Sequence, residues 1–303
     1  MTPFGIAGVQ MHVTVGNNLE AMRHRIDLVM HLYPWVQMIT FSELCMYGPL
    51  LTHAQPLPGD AEEQLCTAAA HHGIWIVSGS MFERREGLIH NTTSVINPQG
   101  TVIGRYRKLF PFMPFEEGVT PGSEFLVWDI EGVGRFGILN CYDIWFPENA
   151  RSLAAMGVEV ILHPVLTHTI DRDVDLVIAQ ANAAMHQCYV FDINGLGAGG
   201  NGHSSVFDPH GRILFQGGGQ EQFIPVEIDL DQVRRSRQNG LRNLGQTLKS
   251  FRDRRIDYPI YDRERADTGY LQALGTLEKP AKGTPLTLGE PRLHGAPPPA
   301  INY

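Results

Sequence analysis

Residues 136–147 have the sequence FGILNCYDIWFP, which is typical of a strand that turns into a helix. Its apolar first half has the composition of a buried strand. Pro147 suits the start of a following helix, because proline is tolerated in a first helical turn. Cys141 is therefore predicted to lie at a strand-to-helix turn, where a side chain projects from the sheet edge beside the partial positive charge of a helix N-terminus.

Strand-like and helix-like segments alternate on both sides of this stretch. Turn signals at residues 97–100 and 208–211 predict two hairpins. Alternating strands and helices, mixed with hairpins, predict an α/β fold in which helices cover a mixed sheet. The predicted strands are 4–11, 38–41, 74–80, 125–130, 135–141, 159–164 and 189–194, and the predicted helices follow Asn18 and Asp60 or span 147–156 and 175–186.

Composition and charge exclude several classes of protein. Of the 303 residues, 43% are hydrophobic and 18% are charged, which is typical of a packed core rather than a disordered chain. The net charge is 24 − 32 = −8 without a long basic run, so neither nucleic acid nor an anionic membrane is an expected partner. No apolar stretch approaches the ~18 residues of a membrane helix, and residues 1–10 do not resemble a secretory signal. Four cysteines in so long a chain favour a reducing, cytoplasmic setting.

The chain divides by composition into two parts. Residues 1–260 contain no linker rich in proline, glycine or serine, so they are predicted to form one domain. Residues 261–303 are rich in proline, which favours an extended arm that wraps over its own domain or stabilises an oligomer. The prolines that mark this arm are Pro280, Pro285, Pro291 and the run 297–299.

Cys141 is the cysteine whose position suggests chemistry. A free cysteine is more often a small buried hydrophobic residue than a nucleophile, and that is the interpretation for Cys45, Cys66 and Cys188. At Cys141 the nearby helix N-terminus favours a thiolate, which leaves a catalytic and a structural role both open. A catalytic thiol also needs a base. None of the 13 histidines lies in a pattern that marks it as that base, so a cysteine–histidine pair stays open.

Two further charged residues follow predicted strands. Glu43 comes directly after strand 38–41, and a carboxylate in a dry pocket can serve as a base because burial raises its pKa. Lys108 ends a basic strand, and an ammonium near a reacting cysteine can stabilise a developing oxyanion. Each has an ordinary alternative, since such a glutamate is usually a solvated loop residue and such a lysine usually guards a sheet edge.

Together these residues resemble the three signatures of the nitrilase superfamily of carbon–nitrogen hydrolases. The separations are 65 residues from Glu43 to Lys108 (108 − 43) and 33 from Lys108 to Cys141 (141 − 108), and they make the resemblance specific. It covers about residues 4–235 and implies a four-layer α-β-β-α sandwich with mixed sheets, so that 1–260 becomes the hydrolase domain. The signatures are 41–44 (FSEL) with 47–48 (YG), 106–109 (YRKL), and 140–143 (NCYD) with 146–148 (FPE).

The resemblance implies a role for each member of a Glu–Lys–Cys triad. Cys141 would be the nucleophile, and Glu43 would be the general base and later the general acid. Lys108 and the backbone N–H of Tyr142 would stabilise the oxyanion. No metal and no organic cofactor is implied.

A second glutamate is also implied, eight positions after the lysine in the aliphatic amidase and formamidase branch. Residues 108–116 have the sequence KLFPFMPFE, which reproduces that branch's pattern proline for proline and places Glu116 at the required position. Glu117 is its neighbour and stays an alternative. Tyr142 and Trp145 are the predicted substrate-binding residues.

The resemblance thus implies a cytoplasmic, cofactor-free amidohydrolase that converts a small linear amide to a carboxylic acid and ammonia. The pair Tyr142-Asp143 stands where nitrile-cleaving members usually have Trp-Glu, which disfavours nitriles. The nearest alternative is an N-carbamoyl or hydrazide hydrolase with the same triad, in which Arg172 or His168 would bind a substrate carboxylate. An acyltransferase and a non-catalytic assembly protein are further alternatives, and a homo-oligomer is expected.

Overall fold

The computed structural model describes residues 1–262, 269–279 and 282. No helix in this part of the chain is long and apolar enough to cross a membrane. The strands are β1 (Pro3–Gln10), β2 (His12–Val13), β3 (Met38–Phe41), β4 (Trp75–Val77), β5 (Met81–Arg85), β6 (Leu88–Ile96), β7 (Val102–Arg107), β8 (Val127–Ile130), β9 (Gly134–Ile138), β10 (Val160–Val165), β11 (Tyr189–Asn194), β12 (Leu196–Gly197), β13 (Gly200–Asn201), β14 (Ser205–Phe207), β15 (Ile213–Gln216) and β16 (Gln222–Asp229).

Helices connect and cover these strands. Two short 3₁₀ helices lie within loops at Leu51–His53 and Pro259–Tyr261, and a third, Cys141–Trp145, follows β9 directly. The α-helices are α1 (Leu19–Leu32), α2 (Asp60–His72), α3 (Pro147–Ala155), α4 (Arg172–His186), α5 (Leu230–Asn239), α6 (Thr247–Asp253) and α7 (Gly269–Ala273).

The strands form two main mixed sheets. A seven-stranded sheet has the order β16-β1-β3-β4-β6-β5, with β7 also paired to β6. A six-stranded sheet has the order β15-β14-β11-β10-β9-β8. In each sheet parallel neighbours, such as β1 with β3 and β10 with β11, lie beside antiparallel hairpins.

Alternation along the strands builds three apolar layers between four structural layers. In β1, Ala7 and Val9 face α1 and α2, whereas Phe4 and Ile6 face the second sheet. In the second sheet, β10 presents Val160 and Leu162 to that same central layer, and Ile161 on the opposite face packs with α3 and α4. The order helix, sheet, sheet, helix confirms the predicted α-β-β-α sandwich.

The predicted elements agree with the structure where periodicity was clear. Strands 38–41 and 189–194 have the predicted bounds, and both turn signals join antiparallel strands, β6 with β7 and β14 with β15. Strand β9 ends three residues before Cys141 rather than at it, because the chain turns into the 3₁₀ helix. Strands β5 and β16 had no clear period in the sequence and were not predicted.

The predicted C-terminal arm lies mostly outside the described residues. Every proline that marks the arm also lies outside them. The described segment 269–279 is almost entirely exposed. The assignment of 261–303 as an oligomer-stabilising arm therefore stays a prediction.

Candidate active site

Three loops at strand ends bring the predicted triad together. Glu43 follows β3 by two residues, Lys108 follows β7 directly, and Cys141 follows β9 at the start of the 3₁₀ helix. The backbone N–H of Glu43 donates to the Val165 carbonyl at the end of β10, 3.2 Å away, and so joins the two sheets at this point. Residues 65 and 33 positions apart in the chain therefore share one site because the sandwich aligns these strand ends.

Lys108 lies between two carboxylates and is almost completely buried, with 1% of its surface exposed. Its Nζ donates to Glu43 Oε1 at 2.8 Å and to Glu116 Oε2 at 2.7 Å. Glu43 is also buried, while Glu116 is slightly more open. Glu117, the alternative to Glu116, is exposed. The structure thus brings Glu116, and not its neighbour, to the lysine.

Asn91, on β6, is a member of this cluster that the sequence analysis missed. Its Nδ2 donates to Glu43 Oε1 at 2.8 Å and to Glu116 Oε1 at 3.1 Å. Its Oδ1 accepts from Asn140 Nδ2 at 2.9 Å, which ties the carboxylates to the residue before Cys141. Asn91 lies within the polar run 90–94 of β6, so no sequence signal set it apart from its neighbours.

The two carboxylates have opposite pKa shifts. Burial raises the pKa of Glu43 above its ordinary value, and the attraction of Lys108 only partly offsets this. Burial would also raise the pKa of Glu116, but Lys108 and the backbone N–H of Phe112 outweigh it and hold this pKa low. Burial would lower the pKa of Lys108, yet its two carboxylate partners keep that pKa well above the ordinary value. Glu43 is therefore the member of the cluster best suited to exchange a proton.

Cys141 has a strained backbone and a thiol whose pKa is raised. Its φ of 51° lies in the left-handed region that residues with a side chain rarely adopt. The residue as a whole is partly exposed, and its Sγ lies 3.9 Å from the Leu166 carbonyl oxygen. Burial, followed by the negative charge of Glu43, raises the pKa of this thiol well above its ordinary value. The expected preference for a thiolate is wrong, because desolvation outweighs the end of a five-residue 3₁₀ helix.

Asp143 anchors the turn that carries Cys141. Its carboxylate accepts from the Tyr106 hydroxyl at 2.7 Å, from the Phe110 N–H at 2.7 Å and from the Asn140 N–H at 3.0 Å. Complete burial raises its pKa to about 6. These bonds join the loop after β7 to the loop after β9, so Asp143 fixes the lysine and the cysteine relative to each other.

The first intrahelical bond after Cys141 is donated by Asp143 to the Asn140 carbonyl. Tyr142 comes one residue earlier, where the N–H groups of a helix have no intrahelical acceptor. This is the position that an oxyanion donor at the start of a helix needs. The Tyr142 ring contacts the rings of Phe112, Trp145 and Phe146, with centroids 4.9, 5.8 and 5.1 Å away. The predicted substrate-binding residues Tyr142 and Trp145 thus belong to a half-buried aromatic cluster on the 3₁₀ helix that begins at Cys141.

Trp145 and the two residues considered for a substrate carboxylate have distinct surroundings. Trp145 Nε1 donates to Asp175 Oδ1 at 2.7 Å. Arg172 is 4% exposed, and its guanidinium forms an ion pair with Asp192. His168 is exposed. The arginine is therefore already engaged inside the protein.

The remaining cysteines lie elsewhere. Cys45 and Cys188 are buried, and burial raises the pKa of each thiol to about 12. Cys66 lies on α2 and is partly exposed. Within residues 1–262, 269–279 and 282, no group of three or more His, Cys, Asp or Glu residues has the geometry to hold a metal ion.

Comparison with known proteins agrees with this geometry. A family model described as carbon-nitrogen hydrolase matches residues 6–238. The chain is 33% identical over 239 residues to 2-oxoglutaramate amidase of Bacillus subtilis (strain 168), with 75% of this chain and 91% of that protein covered. It is 29% identical over 257 residues to omega-amidase NIT2 of Bos taurus, with 78% and 86% covered. The solved structure of Saccharomyces cerevisiae Nit3, a member of branch 10 of the nitrilase superfamily, matches with a TM-score of 0.73 and 25% identity, covering 78% of this chain and 94% of that one.

Proposed function

This chain belongs to the carbon–nitrogen hydrolase family and is a hydrolase that acts on C–N bonds; we propose that it converts a small linear amide to a carboxylic acid and ammonia through a thioester on Cys141. One observation carries the proposal. The ammonium of Lys108 bridges the carboxylates of Glu43 and Glu116 in a buried cluster beside a cysteine at a strand-to-helix turn. Three buried charges add little to the stability of a fold, because the free energy lost on their desolvation is about as large as the free energy gained from their attraction.

In the first half of the reaction, Glu43 takes the thiol proton as Cys141 Sγ attacks the amide carbon. The raised pKa of Glu43 and the raised pKa of the thiol both favour transfer of the proton during attack rather than a standing thiolate. Lys108 Nζ and the Tyr142 N–H stabilise the tetrahedral oxyanion, and one such donor contributes about 3–4 kcal/mol. Glu43 then protonates the leaving nitrogen, the C–N bond breaks, and ammonia departs.

In the second half, water attacks the thioester. Glu43 accepts a proton from this water and returns it to the sulfur, so that the acid and the free thiol are released. Glu116, whose pKa is held low, stays ionised and keeps Lys108 charged and in place throughout. Mass and charge balance without a further reactant: one amide and one water give one acid and one ammonia.

The charged groups near Cys141 favour substrates whose acyl group carries no charge. Lys108 is engaged by two carboxylates and Arg172 by Asp192, while the charges of Glu43 and Asp175 act on the thiol. The aromatic rings around Tyr142 offer an apolar surface. Substrates such as 2-oxoglutaramate, which the Bacillus relative is named for, carry a carboxylate. We expect kcat/KM for an uncharged arylacetamide to exceed that for 2-oxoglutaramate by about tenfold or more, because like charges repel.

The N-carbamoyl hydrolase alternative has less support for the same reason. Its substrate carboxylate needs a cation, and of the two candidates Arg172 donates to Asp192 and to the carbonyls of Gly202 and His203, which leaves the exposed His168. The acyltransferase alternative differs only in the nucleophile that attacks the thioester. The reaction products, and not the geometry of the site, therefore distinguish it from a hydrolase.

The test is ammonia release from formamide, propionamide, phenylacetamide, 2-oxoglutaramate and an N-carbamoyl amino acid, with Cys141→Ala and the matched control Cys66→Ala. The proposal predicts release from an amide, loss of at least ~10³-fold in Cys141→Ala, and ordinary activity in Cys66→Ala. A transferase would give hydroxamate when hydroxylamine is added and negligible free acid without it, whereas a hydrolase would release free acid without hydroxylamine. Undiminished ammonia release by Cys141→Ala would contradict the proposal.

A further inference from the structure

His163, in the middle of β10, contacts the backbone of the nucleophile. Its Nε2 lies 2.9 Å from the Cys141 carbonyl oxygen, and its Nδ1 lies 2.9 Å from Asp192 Oδ2. His163 and Asp192 are register partners on the parallel strands β10 and β11, so the sheet itself sets them side by side. Both are essentially unexposed, at 1% and 0%.

Both partners of the imidazole are hydrogen-bond acceptors. A carboxylate and a carbonyl oxygen offer no proton, so both ring nitrogens must carry one for both bonds to form. His163 is therefore an imidazolium in this arrangement. Burial would lower the pKa of His163, but the hydrogen bond and the charge of Asp192 outweigh it, and the pKa is raised.

Charged groups from α4 complete the surroundings of this imidazolium. Arg172 pairs with the second oxygen of Asp192, and its other terminal nitrogen lies 3.8 Å from Asp175 Oδ2. Asp175 accepts from Thr167 Oγ1 at 2.6 Å and from Trp145 Nε1 at 2.7 Å. A buried set of two cations and two carboxylates thus holds Cys141 at one end and Trp145, four residues later, at the other.

The bond to Cys141 has a consequence for the oxyanion site. The Cys141 carbonyl and the Tyr142 N–H belong to one planar peptide group and point in opposite directions. A partner that fixes the carbonyl therefore fixes the direction of the N–H. A positive charge on that carbonyl also polarises the amide and strengthens the N–H as a donor. The φ of Cys141 is 51°, and the hydrogen bond from His163 to its carbonyl opposes relaxation of this strained backbone.

We propose that His163, as an imidazolium held by Asp192 and Arg172, is a positioning residue that aims and polarises the Tyr142 N–H toward the substrate oxygen. This inference rests on the proposed amidase function. It assigns His163 an effect on the tetrahedral oxyanion and none on the nucleophilicity of the Cys141 thiol. Hydrolysis and simple alkylation of the thiol must then respond differently to its loss.

The experiment compares His163→Leu and His163→Gln with the wild-type chain in two reactions. Amide hydrolysis forms an oxyanion, whereas alkylation of Cys141 by iodoacetamide displaces iodide at a saturated carbon and forms none. For His163→Leu we expect kcat to fall about 100-fold with KM changed less than about threefold, and the alkylation rate to change less than about threefold. His163→Gln keeps an N–H donor without the charge, so about a tenth of wild-type kcat should return.

His186→Leu is the matched control, because His186 is also fully buried, lies at the end of α4 and makes no hydrogen bond through either ring nitrogen. Its kcat and alkylation rate should equal those of the wild type. Wild-type kcat in both His163 variants, or an equal loss of hydrolysis and alkylation, would overturn the inference. If His163→Leu does not fold, the ratio of hydrolysis to alkylation in His163→Gln decides. Failure of the amidase proposal itself would show separately, as undiminished activity of Cys141→Ala.

Discussion

At the scale of single residues, the site depends on an imbalance of charge around Lys108. One buried cation faces two carboxylates, so the cluster favours a proton on one of them. The ionised form of Glu116 is stabilised more than that of Glu43, because the Glu116 carboxylate also accepts a hydrogen bond from the Phe112 N–H. Glu43 therefore takes the raised pKa and the role in proton transfer.

This imbalance predicts the acid limb of the pH profile. Glu43 must be ionised to accept the thiol proton, so activity is present above its pKa and is lost as pH falls through it. Because that pKa is raised, kcat/KM should begin to fall above the ordinary glutamate value of 4.5, by about tenfold per pH unit below the midpoint. The measurement is kcat/KM from about pH 4 to about pH 8, with circular dichroism at each pH to verify that the protein is folded. A midpoint at or below the ordinary value would contradict the assignment.

At the scale of elements, the loops after the strands fix the catalytic geometry. The loop before Glu43 packs against Gly79, which follows β4 with a φ of +72°. A Cβ at Gly79 would collide with the Ser42 carbonyl oxygen and lie 2.6 Å from Cys45 Sγ. The backbone that presents Glu43 can therefore keep its path only while position 79 is glycine.

Gly79→Ala should consequently damage both stability and activity. We expect the free energy of unfolding to fall by about 2–4 kcal/mol, from a left-handed backbone plus overpacking, and kcat to fall as Glu43 shifts. Gly87→Ala is the matched control, since Gly87 has a φ of +81° and no atom near its Cβ position. That variant should lose only about 1 kcal/mol in urea unfolding and keep its kcat. Equal losses in the two variants would show that contact with the Glu43 loop is unimportant.

The elements also show how far the sequence could predict this protein. Strands with an unbroken apolar pattern, such as β3 and β11, were predictable, and so were the hairpin turns. Strand β16 was not, because Pro225 interrupts it; as the edge strand it needs no N–H there. The contact between His163 and Asp192 depends on the register of two parallel strands, which pattern alone does not give. The trace of this contact in the sequence was a titratable residue at the fourth position of each strand.

At the scale of the whole molecule, two sheets packed face to face hold residues distant in sequence in one site. Apolar layers on both sides of each sheet leave the strand ends as the place where polar side chains converge. The resemblance of short motifs predicted this convergence for Glu43, Lys108 and Cys141. It gave no anchoring role to Asp143, although Asp143 belongs to the third signature, and it did not include Asn91 or His163, whose roles follow from three-dimensional contacts.

The C-terminal segment yields a prediction at this scale. Residues 269–279 bury little surface within the chain, and a proline-rich arm is stable only against another surface. Deletion of residues 263–303 should therefore leave the melting temperature of the domain within about 3 °C while reducing the number of protomers in the assembly. Light scattering after gel filtration gives that number, as the mass of the assembly divided by the mass of the shortened protomer. An unchanged number of protomers would contradict the expected role of the arm in oligomers.

The proposed mechanism requires Cys141 to carry the acyl group during amide hydrolysis. This is tested by the mass of the Cys141 peptide after the wild-type chain is quenched in acid during turnover of its best amide. We expect a mass increase equal to the acyl group on that peptide, its removal by hydroxylamine, and its absence in Cys141→Ala. Steady ammonia release with no acyl mass on Cys141, or with that mass on another residue, would contradict it.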